Sequence, residues 1–243
     1  LLRGKETPPG NKEDTQAGQP RRQASPGEGG ALPNIPTVRV GTLNCRGLRT
    51  NWETTREAIL QYKPDIIILT ETKMMANLHR GFKAMRQDLP NYQLHHSSMH
   101  GDGGQAPGAG VMILIHTPLA PYLIRQETPK ELRGTLLHLK AQTEEGTTHV
   151  VGVYSPPGQK EEATAIHQYT SRLMESPNTR VLTGGDWNAA WYPADRTTRQ
   201  LTEADQRHSQ TWEEKGFRPT RQDGRTHTFH MRHEGTLIHG SRI

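Results

Sequence analysis

Pro64-Asp65-Ile66-Ile67-Ile68-Leu69-Thr70-Glu71 carries the longest unbroken aliphatic run in the chain, Ile66 to Leu69. No polar residue interrupts the run, so both of its faces must be covered, as in a strand inside a layered sheet. Pro64 separates it from the segment before, because the residue preceding a proline is driven out of helical geometry. Upstream, residues 54–62 carry helical spacing, with Trp52, Ile59 and Tyr62 able to share a face. Further upstream, Val38, Val40 and Thr42 fall on one parity and predict a strand over 37–45. Strand, helix and buried strand in succession form a βαβ-like opening, which argues for an α/β fold.

Downstream, the pattern predicts a short helix over 77–89 and strands over 92–96 and 111–116, the last two separated by a Gly-rich connection. Strands over 136–141 and 149–154 flank the charged turn Glu144-Glu145-Gly146. A helix over 161–174, a strand over 180–183, a helix over 201–215 ended by Gly216 and a strand over 226–231 complete the chain. Strands outnumber helices, and helices fall between them, so the architecture expected is sheet flanked by helices.

The 243 residues hold 30 Lys+Arg against 25 Asp+Glu, a formal charge of +5, and only 31% are hydrophobic. A modest core is expected, and no stretch approaches the roughly 20 apolar residues of a membrane span. The single cysteine, Cys45, excludes an internal disulfide and fits a reducing, intracellular setting. The basic excess permits a polyanionic partner. Residues 1–36 contain six Pro, six Gly and charges of both signs with little to bury, the composition of a disordered linker; residues 37–243 form the folded domain. The first residue is Leu1 and no targeting segment is seen, so the sequence is expected to begin inside a longer reading frame.

Three polar residues stand at or beyond the C-terminal ends of predicted strands: Asn44, Glu71 and Asp186. That rim is where α/β sheets bind ligands. A carboxylate directly after buried positions needs a cation or donors to offset its desolvation. Glu71 is therefore a candidate ligand for Mg²⁺ or a similar hard ion, or else it caps a loop or pairs with Lys73. Gly184-Gly185-Asp186-Trp187-Asn188 offers glycines for close backbone approach, with an Asp and an Asn that point the same way in an extended segment. The alternative is an Asx-turn. Trp187, Trp191 and Tyr192 either stack on a base or pack the loop, and Arg80, Lys83 and Arg86 either track phosphates or form a solvated face. His95, His96 and His100 with Cys45 lack zinc-site spacing, no P-loop ending follows the Gly-rich stretch, and no nucleophile elbow is present.

Taken in order, Thr42-Leu43-Asn44-Cys45-Arg46-Gly47-Leu48, Pro64 through Lys73, Gly110-Val111-Met112-Ile113-Leu114-Ile115, Val153-Tyr154-Ser155-Pro156-Pro157, Gly184-Gly185-Asp186-Trp187-Asn188-Ala189, Thr226-His227-Thr228-Phe229 and Ser241-Arg242-Ile243 resemble one family. It is the endonuclease/exonuclease/phosphatase superfamily, and especially the apurinic-endonuclease-like domain of non-LTR (LINE-type) retrotransposons. Each motif is weak alone; seven in order are specific. Asp195-Arg196 also resembles the retrotransposon version.

The resemblance implies a four-layer α/β sandwich, two packed sheets flanked by helices, that hydrolyses a phosphodiester with Mg²⁺, for which Mn²⁺ can substitute. It implies that Glu71 is the main metal ligand with Asn44 beside it, that Tyr154 contacts the scissile phosphate, and that Asp186 aligns or deprotonates the attacking water. Asn188 would hold a phosphate oxygen, and Thr228, Ser241 and Arg196 would contact phosphate or DNA. The partners implied are a DNA duplex, no membrane and a downstream reverse transcriptase, with nuclear action. The family also places an Asp directly after Ser-Arg-Ile and a Ser-Asp-His motif later, and neither follows Ile243. From this, C-terminal strands are expected to be missing and activity to be weak or absent. The competing expectations are another phosphatase or RNA nuclease of the superfamily, or a non-catalytic nucleic-acid-binding remnant.

Overall fold

A computed structural model describes residues 38–75, 79–98, 109–143, 146–176, 178–193, 196, 198–215, 229–233 and 236–241. The predicted linker over 1–36, and with it Thr228, Asp195 and Gly216, lies outside these residues. The aliphatic run becomes β2 (Ile66–Thr70), buried at all five positions. It pairs parallel with β1 (Val40–Asn44) and antiparallel with β4 (Val111–His116), and β3 (Tyr92–Ser97) completes a sheet of order β1-β2-β4-β3. Alternation divides its side chains between two layers. Ile67, Leu69, Met112 and Leu114 pack with Leu48 and Ile59 of α1 (Leu48–Tyr62) and with Phe82 and Met85 of α2 (His79–Asp88).

Ile66, Ile68, Val111 and Ile113 point the other way, onto Leu137, Leu139, Val150 and Leu182 of a second sheet. That sheet is β5 (Leu123–Gln126), β6 (Leu136–Thr143), β7 (Gly146–Tyr154) and β8 (Thr179–Asp186), in that order, with only β7 and β8 parallel. Its outer side chains Leu136, Val151 and Val153 meet Ile166 of α3 (Lys160–Arg172). Helix, sheet, sheet, helix is the four-layer α/β sandwich expected. Each fully buried aliphatic side chain between the layers contributes on the order of 2 kcal/mol. α4 (Glu203–Glu214) joins the outer layer through Trp212, which packs on Trp187 and on His167 of α3. β9 (Phe229–His233) and β10 (Thr236–Ser241) form an antiparallel pair of their own. No helix among the described residues is long and apolar enough to cross a membrane.

The helix expected over 54–62 begins earlier, at Leu48, with a non-helical Asn51 inside it. Tertiary hydrogen bonds hold this first turn: Leu48 N–H donates to the Thr72 carbonyl (3.0 Å) and Asn51 Nδ2 to the Cys45 carbonyl (2.9 Å). β5 is a short edge strand after Pro118 and Pro121, with a register shift between Leu123 and Arg125, and its sequence carries no clean alternation. β8 runs to Asp186 rather than stopping near Thr183 because Gly184, Gly185 and Asp186 pair with Gly152, Val153 and Tyr154. The glycines have a packing use. A methyl group on Gly152 would stand 2.8 Å from Val111 Cγ1 and 3.0 Å from Ile68 Cγ2, and one on Gly184 would stand 3.0 Å from Thr42 Cγ2. These register partners let the two sheets close on each other, whereas the sequence suggested that Gly184 admits a ligand.

Candidate active site

β1 and β2 run parallel, as do β7 and β8, and their C-terminal ends meet at one rim of the sandwich. Thr42 and Asn44 share a parity on β1, and Gly184 and Asp186 share one on β8, so the close approach of Thr42 to Gly184 also brings Asn44 to Asp186. Asn44 Nδ2 donates to Asp186 Oδ2 (2.7 Å) and to Glu71 Oε1 (2.8 Å). One amide thus spaces two carboxylates from different sheets. Its oxygen accepts from the Arg46 backbone N–H (3.0 Å), so in this orientation Asn44 joins the carboxylates through nitrogen rather than offering a metal its oxygen. Lys73 Nζ lies 3.6 Å from Glu71 Oε2. The Lys73 pairing read as one alternative for Glu71 is therefore formed, and Glu71 also shares the Asn44 donor with Asp186.

Strain collects at this rim. Arg46, Glu71, Lys73 and Asn188 all have φ near +50° without being glycine, a conformation that persists only where the surroundings hold it. Gly47 N–H donates to the Glu71 carbonyl (2.7 Å), while Thr72 and Lys73 N–H donate to the Gly110 and Ala109 carbonyls (3.0 and 3.1 Å). Asp186 is 4% exposed. Burial pushes its carboxyl above the ordinary Asp value, the Asn188 and Asn44 donors pull it down, and the Glu71 charge pushes it up again. Burial first, then Glu71 and Asp186, push the Tyr154 phenol up to about 12. Tyr154 is therefore a neutral donor at physiological pH. Asn188 N–H donates to Asp186 Oδ1 (3.0 Å), the Asx-turn alternative, and Asn188 Nδ2 donates to the Ser155 carbonyl (2.8 Å). The chain turns after Asp186, so Asp186 and Asn188 do not lie in one extended segment as expected.

Residues 41–233 match the Endonuclease/Exonuclease/phosphatase family. The chain belongs to this family. It is similar to the RNA-directed DNA polymerase from mobile element jockey of Drosophila melanogaster, 30% identical over 167 residues, and to that of Drosophila funebris, 26% identical over 166. Those stretches are 67% and 66% of this chain, and the chain spans 16% of the length of either relative. Among solved structures, the AP endonuclease LMAP of Leishmania major superimposes with a TM-score of 0.56 at 16% identity, covering 73% of this chain and 65% of that one. The endonuclease domain of TRAS1, a telomere-specific non-LTR retrotransposon, does so with 0.53 at 15% identity, covering 74% and 73%. At these identities the structures speak for the fold, which is that of the endonuclease/exonuclease/phosphatase family.

The structure thus brings together Asn44, Glu71 and Asp186, with Tyr154 and Asn188 beside them. Arg196 is engaged elsewhere. Its guanidinium grips the wholly buried Asp205 (Nη2 to Oδ1 2.5 Å, Nε to Oδ2 3.2 Å). Thr228 lies outside the described residues, and Ser241 is described only as the last residue of β10. Trp187 packs among His167, His208 and Trp212, which is the loop-packing alternative. A groove of about 650 Å³ between α3 and α4 runs up to Ser155 and Asn188 and is edged by Lys160, Arg172, Arg207 and Lys215. Sequence reasoning did not anticipate Asp205. The signal available was Thr202-x-x-Asp205, a capping box that the structure forms.

Proposed function

We propose that this member of the endonuclease/exonuclease/phosphatase family is a DNA endonuclease domain that hydrolyses one phosphodiester of a duplex, with Mg²⁺ or Mn²⁺, as part of a retrotransposon polyprotein with a reverse transcriptase. The observation that carries the reading is the single Asn44 amide holding Glu71 and Asp186 together at the rim. Carboxylate oxygens are hard donors suited to Mg²⁺. Glu71 would hold the ion with Asp186 adjoining, and the ion would supply charge stabilisation at a phosphoryl oxygen. Asp186, with its carboxyl raised by burial, is a better base than an exposed aspartate and accepts the proton of the attacking water. Tyr154 donates its hydroxyl proton to a phosphate oxygen, and the Nδ2 hydrogen of Asn188 not used on Ser155 donates to another. The cations of the α3–α4 groove support a path for the phosphate backbone leading to Asn188. The likeness to the jockey polymerases and to the TRAS1 endonuclease domain supports DNA as substrate and the polyprotein setting.

The test is nicking of supercoiled plasmid by the purified chain with Mg²⁺. Open circles that vanish with EDTA, in Glu71→Ala and in Asp186→Asn support the reading. Intact plasmid accompanied by cleavage of RNA or release of phosphate from an inositol phosphate would assign another substrate, and DNA binding without cleavage would leave only a binding role.

A further inference from the structure

On the opposite face of the second sheet from Tyr154 and Asp186, beneath α3, Glu127, His138 and His149 bring a carboxylate oxygen and two imidazole nitrogens within 4.8 Å of one another. His138 on β6 is wholly buried and His149 on β7 is 7% exposed. The register sets His138 opposite Val151 and Lys140 opposite His149, so the two rings are diagonal neighbours on adjacent strands. Glu127 N–H donates to the His138 carbonyl (3.0 Å), which fastens the carboxylate-bearing segment along the other side of β6. Three donors thus come from three adjacent extended segments, a stiff frame. Burial, and for His138 its histidine neighbour, lowers both imidazoles, His138 to about 4.

His138 Nε2 lies 2.6 Å from His149 Nδ1. Two lone pairs cannot face each other at that distance, so an electrophile must lie between them: a proton, or a metal ion. The other ring nitrogen, His138 Nδ1, is 2.7 Å from the Tyr169 hydroxyl, which donates to the Glu127 carbonyl at 3.2 Å. With that hydroxyl proton committed to the carbonyl, Tyr169 accepts from His138 Nδ1–H, and the Nε2 lone pair is turned toward His149. An outer partner that sets the tautomer in this way is what a metal-binding histidine requires. Zinc–nitrogen bonds of about 2.0–2.1 Å would need the two nitrogens to part by less than about 1 Å. Glu127 Oε2 stands 3.9 Å from His138 Nδ1, on the side of the ring turned away from His149, and it is the placing of one donor of each residue within 4.8 Å of the others that adds a carboxylate to the two histidines, a set that prefers Zn²⁺ to Mg²⁺.

We propose that Glu127, His138 and His149 form a second metal site, for Zn²⁺, that fastens β6 and β7 to the segment after β5 and is separate from the nuclease centre. The test uses the 243-residue chain with Glu71→Ala, stripped by a chelator and titrated with Zn²⁺ by calorimetry and with Co²⁺ by visible absorption. The expected result is one tight Zn²⁺ equivalent that Mg²⁺ does not displace, a tetrahedral Co²⁺ spectrum, and a melting temperature raised by Zn²⁺. Adding Glu127→Gln, on a partly exposed side chain, weakens Zn²⁺ binding at least ~10-fold, and adding His149→Ala abolishes the Co²⁺ spectrum. No saturable Zn²⁺ binding, or an affinity unchanged in Glu127→Gln, would overturn the site and leave a hydrogen-bonded brace. Nicking is not read, so this inference and the nuclease reading stand or fall separately.

Discussion

Asn44 donates to Glu71 and Asp186 from a single nitrogen, and this makes the site sensitive to one atom. As the proposed base, Asp186 must be ionised to take a proton from water, so the proposed nicking should climb with pH through its pKa, which lies above the ordinary 3.8. Asn44→Asp removes a donor and adds a third negative charge, and both changes raise that pKa further. Nicking at neutral pH is expected to fall about 100-fold, with the acid limb of the pH–rate profile moved upward. Glu71→Gln removes a charge that raises Asp186, so in its residual activity the acid limb moves downward. Rates measured from pH 4 to 9 with both variants check the two directions. Asn44, Glu71 and Asp186 stood out in the sequence because each is placed at a strand end, Asn188 because it follows in the Gly-Gly-Asp-Trp-Asn stretch, and Tyr154 only through the resemblance to the family. The direction of the Asn44 amide was not legible, since it depends on a partner 142 residues away.

At the scale of elements, the loop between β8 and α4 hangs on Asp205. Its carboxylate accepts from Arg196, the Ala190 N–H and the N–H and hydroxyl of Thr202. Burial pushes the carboxyl up, but Arg196 and the other donors more than reverse this and bring it down to about 2. The stability this confers is present above the ordinary Asp value of 3.8 and is lost as pH falls through about 2. Asp205→Ala strands the Arg196 guanidinium and is expected to cost about 3 kcal/mol at pH 7, read from urea denaturation, with much less cost near pH 2. The capping box at Thr202 was written in the local sequence, but the reach of Arg196 to it was not. A second element-scale prediction concerns the sheet contact. Gly152→Ala drives a methyl into Val111 and Ile68 and should destabilise by about 1–3 kcal/mol, whereas Gly158→Ala meets no neighbouring atom and is strained only by its φ of +80°.

For the whole molecule, the proposed binding of DNA, read with the surplus of five positive charges and the cations of the α3–α4 groove, predicts an affinity that falls steeply with salt. Replacing Lys160 and Lys215 by Ala should flatten a plot of log affinity against log salt by about 2, measured by fluorescence anisotropy on a duplex. The flanking of sheet by helices followed from local chemistry, whereas the packing of two sheets into four layers was implied only by the resemblance to the family. A four-residue aliphatic run demands cover on both faces, helical spacing beside it supplies the cover, and polar residues after strands mark the rim. Those signals span a few residues each, so they survive without knowledge of the fold. Register and sheet-to-sheet contact decided the rest. The pairing of Gly152 with Gly184 sets how closely the sheets approach, and that approach brings Asn44 to Asp186. The register of β6 on β7 likewise makes neighbours of His138 and His149. The first of these meetings joins segments 142 residues apart and the second is set by a hairpin's register, and in neither does periodicity within one segment encode the partner.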